Sequence, residues 1–203
     1  MAKRKTDDSS LDQLHHYGLY IPTRTVTIGN GASDGEIDYS SAMQAMKNIH
    51  VLHQLSQTEP INIIMNTPGG SVDQGLAIYD LLSVISNPVA IFVYGRCYSM
   101  GAILLQAADR RVMLPNSALM IHRGSVAYEG DATAVDRWYR FEKHVDKTAD
   151  AILLTSIREK HPAFTPARLR RLLATDTILV PAEAVAIGLA DDILPVQGDS
   201  ADE

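Results

Sequence analysis

The chain has 203 residues, 46% of them hydrophobic and 21% charged, with a formal net charge of -6. That is the composition of one soluble globular domain with neither a disordered nor a fibrous bias, and its negative balance removes the usual basis of nucleic-acid affinity, cationic side chains on phosphates. A single cysteine, Cys97, excludes an internal disulfide and a cysteine-rich zinc site, and points to a reducing compartment such as the cytoplasm.

Residues 1–16 are polar and charged and 198–203 are small and acidic, so both ends are expected to be mobile around a single domain spanning 17–197. The basic start lacks the apolar run of a signal peptide, and no stretch is long and apolar enough to span a membrane. Tyr20 to Ile28 reads as a strand and Tyr39 to Leu55 as a helix. The apolar run Ile61 to Met65 is a buried strand ending in the turn formers Asn66 to Gly70, after which Ser71 caps a helix with Val72, Leu76, Tyr79, Leu82 and Ile85 on one face.

Val89 to Tyr94 predicts a second buried strand, Gly95 to Tyr98 a turn, and Ser99 to Ala108 a small apolar helix. Strands follow at Arg111 to Leu114 and Ala118 to Ile121, then one long helix from Asp131 to about Lys160. Two short helices, Pro166 to Ala174 and Pro181 to Ile187, complete the order, the last ending at Gly188. This alternation predicts the α/β class, with parallel strands joined by right-handed crossovers. The length and aromatic content of the long helix favour an oligomer over a monomer. Arg168, Arg170 and Arg171 read as a solvated helix face.

Three groups could carry chemistry. Ser99, at a strand-to-helix junction, sits where free N–H groups and the helix dipole favour developing negative charge, although an isolated serine there is read first as a cap. Asn66 to Gly70 ends a strand on the same sheet edge, and its two glycines free the backbone amides as an oxyanion hole requires, or simply make a tight turn. His122 ends the apolar strand Leu119 to Ile121, and its near-neutral pKa suits proton transfer. His50 and His53 have a helical spacing, but no other metal ligand lies near them in sequence. Many carboxylates could orient the base; Asp176, flanked by apolar residues expected to bury it, is weakly preferred over Asp191 and Asp192, which read as solvated.

These motifs resemble those of the Clp protease proteolytic subunit. Asn66-Thr67-Pro68-Gly69-Gly70 is similar to the family's Asn-Ser-Pro-Gly-Gly, and Ser99-Met100-Gly101-Ala102 matches its nucleophile motif. Met120-Ile121-His122 matches the segment carrying the base, and Asp176 with Ala182-Glu183-Ala184 and Gly188-Leu189-Ala190-Asp191 the C-terminal pattern. The resemblance, over roughly Val26 to Leu194, implies a crotonase-like spiral of ββα units with a protruding long handle helix. It implies a serine endopeptidase with Ser99, His122 and Asp176 as triad and the N–H groups of Gly70 and Met100 as oxyanion hole.

An extended polypeptide would then add as a strand beside Ser71 and Val72 on one side and the segment near Ser125 on the other. The resemblance further implies a homo-oligomeric ring, an AAA+ unfoldase as a possible partner, and no metal or organic cofactor. The chain departs from the family where Arg123-Gly124 replaces Gln-Pro, and where Thr175 and Thr177 flank Asp176 in place of an arginine linked to ring assembly. Its hydrophilic N-terminus does not resemble the family's axial loops. A crotonase-type acyl-CoA enzyme is the alternative from a different class, but it leaves Ser99, His122 and Asp176 unexplained together. A non-catalytic subunit of a mixed ring generally lacks a triad member, and none is missing here.

Overall fold

A computed structural model describes residues 8–29, 34–124 and 127–195; the first seven residues and the acidic tail fall outside them. Asp8–Tyr17 forms helix α1, in a stretch whose polar composition predicts no element. The strand expected over Tyr20 to Ile28 is divided into β1 (Leu19–Tyr20), a single 3-10 turn (Ile21–Thr23) and β2 (Thr25–Ile28). Pro22 has a fixed φ and no N–H, so a strand cannot pair through it. Arg24 follows at φ 51° and donates to the carbonyls of Leu52 at 2.9 Å and Pro60 at 3.0 Å, which ties the turn to the next helix and strand.

Helix α2 (Tyr39–Leu55) begins where its periodicity and cap direct. The Asp38 carboxylate accepts from Ser41 N at 2.7 Å while Ser41 Oγ accepts from Asp38 N at 2.9 Å, a reciprocal cap that satisfies two otherwise orphaned amides. Its apolar face of Ala42, Ala45, Ile49 and Leu52 is buried. Strands β3 (Ile61–Thr67) and β4 (Val89–Tyr98) follow, with helix α3 (Val72–Val84) between them. Ile61, Ile63, Met65, Ile91 and Val93 have no solvent exposure. Truncating any of the isoleucines to alanine is worth about 2–5 kcal/mol of stability.

The eight-stranded sheet is mostly parallel and runs β1-β2-β3-β4-β5-β8, with β5 at Arg110–Met113 and β8 at Asp192–Ile193. Strand β4 is longer than its apolar run predicts. Ala90 to Val93 pair with β5, whereas Arg96 to Tyr98 turn away to pair with β6 (Ala118–Ile121), which pairs antiparallel with β7 (Thr177–Leu179). Gly95 makes the change of direction at φ 74°, and Asn66 Oδ1 accepts from Arg96 N at 3.1 Å across it. The segment expected to be a turn is thus the second half of a strand. This α/β architecture, a strand forking onto two partners with helices on its faces, agrees with the expected class.

Helix α4 (Met100–Leu105) is buried along its whole length and shorter than expected, because Gln106, Ala107 and Ala108 continue only as i→i+3 turns. Helix α5 (Ala132–Lys160) is capped by Asp131, whose carboxylate accepts from Thr133 N and Ala134 N at 2.9 Å each. Its apolar stripe divides: Val145, Leu153 and Ile157 enter the core, while Trp138, Tyr139 and Phe141 stay exposed. Helices α6 (Pro166–Leu172) and α7 (Pro181–Ile187) follow, and Gly188 ends the latter at φ 90°.

Asp191 is exposed, as its sequence neighbourhood suggests, but it is also held in an ion pair. It accepts from the Arg111 main-chain N at 2.7 Å and from Arg111 Nε at 3.1 Å, because the parallel pairing of β5 with β8 brings the two chain segments together. The Arg111 guanidinium is buried, and its hydrogen bonds hold the Asp191 carboxyl below its ordinary range against the opposing effect of desolvation.

Candidate active site

The second half of β4 delivers Ser99 to the sheet edge, and α4 starts immediately after it. Ser99 adopts φ 53°, ψ -117°, outside the regions open to ordinary side chains, at a cost of about 1–3 kcal/mol. Its surroundings hold it there: Ser99 N donates to Met120 O at 2.8 Å and its carbonyl accepts from Ala102 N at 3.0 Å. The side-chain hydroxyl caps nothing. A simple helix cap is therefore ruled out, and the Oγ is presented to the cleft beside it.

His122 follows β6, whose parallel pairing with the end of β4, Tyr98 beside Met120, brings it close to Ser99. Its Nε2 lies 2.8 Å from Ser99 Oγ, and its Nδ1 lies 3.0 Å from Asp176 Oδ1. Asp176 directly precedes β7, and the antiparallel pairing of β7 with β6 carries it to the histidine. Thr177 Oγ1 donates to Leu172 O at 2.6 Å and closes the turn that leads into this position. Burial by apolar neighbours, the sequence reason for preferring Asp176, does not occur: the Asp176 side chain is 68% exposed. Ile178 on the short strand β7 and Val180 just after it are themselves exposed, so they shield nothing.

The glycine turn lies against the serine. Ile37 N donates to Gly69 O at 2.7 Å and Ser71 N donates to Ile37 O at 2.8 Å, a parallel bridge that leaves the N–H of Gly70 on the side away from Ile37. Gly70 and Met100 line the same cleft as Ser99 and His122. A Cβ at Gly70 would lie 2.5 Å from Ile37 O, which accounts for the glycine. Thr67 Oγ1 accepts from Gly69 N at 3.1 Å and donates to Gly35 O at 2.7 Å, fixing the turn from beneath. Ser71 is the cap of α3, accepting from Gln74 N, and Val72 lines the cleft. Ser125 lies outside the described residues.

The cleft is about 300 Å³. Ile103, Ile121, Val145, Leu153 and Leu173 form a buried apolar floor, while Arg123, Glu142, Asp146 and Asp150 line its charged side. Arg123 donates to both oxygens of Asp150, at 2.8 and 2.9 Å, and lies 3.1 Å from Asp146. Sequence reasoning marks Arg123 only as a departure and passes over the three acids. Their spacing of four residues along α5 is the signal that places them on one helix face.

Cys97, two residues before Ser99, is fully buried, and burial pushes its thiol well above the ordinary cysteine value. It is a core residue and not a competing nucleophile. His53 Nδ1 is 2.6 Å from Asn87 Oδ1, and among the described residues no group of three or more His, Cys, Asp or Glu side chains is arranged to hold a metal ion. No helix among them is long and apolar enough to cross a membrane.

An α/β sheet with serine, histidine and aspartate in hydrogen-bonded series at one edge, beside free amides, is the geometry of hydrolases that work by acyl transfer. A model of the Clp protease family matches residues 16–197. The ATP-dependent Clp protease proteolytic subunit of Deinococcus radiodurans is 31% identical over 180 residues, which cover 88% of this chain and 83% of that protein. The chain belongs to the Clp protease family and is a peptidase of that kind.

Proposed function

We propose that the chain is a serine endopeptidase, the proteolytic subunit of a Clp-type machine, with Ser99 as nucleophile, His122 as general base and Asp176 as the residue that orients it. The observation that carries this reading is the series from Ser99 Oγ through the His122 ring to Asp176 Oδ1, at 2.8 and 3.0 Å. With the imidazole neutral, Nδ1–H donates to the carboxylate and Nε2 accepts the serine proton.

The alkoxide forms as Ser99 Oγ attacks the scissile carbonyl. The N–H groups of Gly70 and Met100, the latter at the start of α4, hold the resulting oxyanion. His122 then gives its proton to the leaving amine, and a water activated by the same ring releases the acyl group. The strained backbone at Ser99 keeps the hydroxyl projecting from the turn, as at a nucleophile elbow. An extended polypeptide would bond its main chain beside Ser71 and Val72 on one side and near Ser125 on the other, which gives affinity with little side-chain selection along most of its length.

This reading includes a homo-oligomeric ring, supported by the exposed aromatic stripe Trp138, Tyr139 and Phe141 on α5. It also includes a cytoplasmic location and delivery of unfolded substrate by an AAA+ unfoldase. The Deinococcus radiodurans relative is named as ATP-dependent, and this chain has no phosphate-binding glycine loop, so a partner would hydrolyse the nucleotide. The reaction needs no metal or organic cofactor.

The test is covalent labelling of the purified protein with a serine-directed phosphonate, followed by mapping of the adduct. Labelling at Ser99 that disappears in His122→Ala is expected. An adduct elsewhere, or one that persists in that variant, overturns the reading. Native mass measurement of the same preparation reports the ring.

A further inference from the structure

The cleft next to Ser99 combines two features that rarely serve the same side chain. Its floor is aliphatic and buried, whereas the α5 side of its lining carries Glu142, Asp146 and Asp150, one helical turn apart. Against these three carboxylates stand two cations, Arg123 in the lining, whose guanidinium is engaged by Asp146 and Asp150, and Lys143 on the outer side of α5, whose Nζ lies 3.4 Å from Asp146. Glu142 is the acid left over. It accepts a hydrogen bond from the Tyr128 hydroxyl at 3.1 Å, and among the described residues no cation lies within ion-pair distance of it. A group entering the cleft passes over hydrocarbon and meets a net negative edge.

We propose that this cleft receives the substrate side chain on the acyl side of the scissile bond and that Glu142 makes it select a long aliphatic side chain ending in a cation, lysine or arginine, over an acidic one. The proposal rests on the serine peptidase reading of Ser99. The methylene stem of such a residue lies along Ile103, Val145 and Leu153, and its charged head stays at the half-solvated edge, as lysine and arginine side chains do elsewhere. A leucine or methionine fills the same floor without using the acids. A glutamate is opposed by them, in a setting drier than bulk water where like charges count for more.

Arg123 has a defined part in this arrangement. By pairing with Asp146 and Asp150 it reduces the negative charge of the lining without cancelling it, and it anchors the wall, since its own N donates to Leu173 O at 2.9 Å. It is a positioning residue, and Glu142 is the one whose charge remains for the substrate.

The experiment compares kcat/KM of the full chain on three fluorogenic peptides that differ only in the residue before the cleaved bond, lysine, leucine or glutamate, in the wild type, Glu142→Gln and Glu142→Lys. The wild type is expected to cut after lysine at least as well as after leucine and about tenfold less well after glutamate. The lysine-to-leucine ratio is expected to fall several-fold in Glu142→Gln and further in Glu142→Lys, where glutamate recovers. Each preparation is titrated with a leucine phosphonate, so that rates refer to labelled Ser99. Normal labelling with lysine cut more than about tenfold below leucine, or with a ratio unmoved by both variants, overturns the specificity alone. Failure of Ser99 to label in the wild type overturns the peptidase reading and this inference with it.

Discussion

Gly69 lies so close to Ser99 that neither position tolerates a larger neighbour: a Cβ at Gly69 would fall 2.8 Å from the Ser99 Cβ and 2.8 Å from Tyr98 O. Gly69 also adopts φ 102°, where an L side chain is strained whatever the space. The turn after β3 and the turn after β4 are packed as a unit, and the placement of the Ser99 hydroxyl depends on both.

Gly69→Ala is accordingly expected to lower kcat at least about 100-fold, since small displacements of a nucleophile carry costs of that order. It should also lower the midpoint of thermal unfolding by several degrees. Gly124→Ala is the stability control. Nothing lies within 4 Å of a Cβ there, and its melting temperature should stay close to that of the wild type. Calorimetry of both variants, with peptide hydrolysis for Gly69→Ala, checks the contrast.

Asp176→Asn should reduce kcat by about 100-fold or more while KM changes little, because the amide favours the wrong imidazole tautomer without altering where substrate binds. The exposure of Asp176 leaves its charge screened by solvent, so the loss should fall below that from Ser99→Ala. Steady-state kinetics on one peptide substrate decides this. An Asp176→Asn variant of wild-type kcat would show that His122 takes its orientation from elsewhere.

Arg111 and Asp191 give the fold a pH dependence with a definite sign. The folded pKa of Asp191 is depressed, so the pair contributes its full stability above the ordinary carboxylate pKa of about 3.9. That contribution is lost as pH falls through the lower folded value. Asp191→Asn should cost about 2 kcal/mol at neutral pH, since it leaves the buried guanidinium with neutral acceptors and the more distant Glu159 carboxylate. Urea denaturation at pH 7 and near pH 3 should show the difference between wild type and variant shrinking in acid.

Cys97 should be inert to thiol reagents in the native protein and react only on unfolding. Its side chain has no solvent exposure, and burial suppresses the thiolate that would react. Mass spectrometry after iodoacetamide, with and without denaturant, measures this. Labelling under native conditions would reveal local opening of the second half of β4, which leads to Ser99.

Elements whose reasons are local were legible in the sequence. Helix α2 has its cap and its period within its own residues, the start of α5 is set by Asp131, and the end of α7 by Gly188, where a left-handed residue is needed. The alternation of apolar runs and amphipathic helices was enough for the α/β class, and motif resemblance brought Ser99, His122, Asp176, Gly70 and Met100 into one list. Only the tertiary structure decided what distant segments do to one another. It split the first strand at Pro22, bent β4 onto β6 at Gly95, added β7 and β8, and left Asp176 in solvent where its neighbours suggested burial. It joined Arg111 to Asp191 and Arg123 to Asp146 and Asp150, pairs separated by tens of residues. Capping and periodicity act over one or two turns of chain and are written in neighbouring residues. Strand register, burial and ion pairing depend on which surfaces the folded sheet brings together.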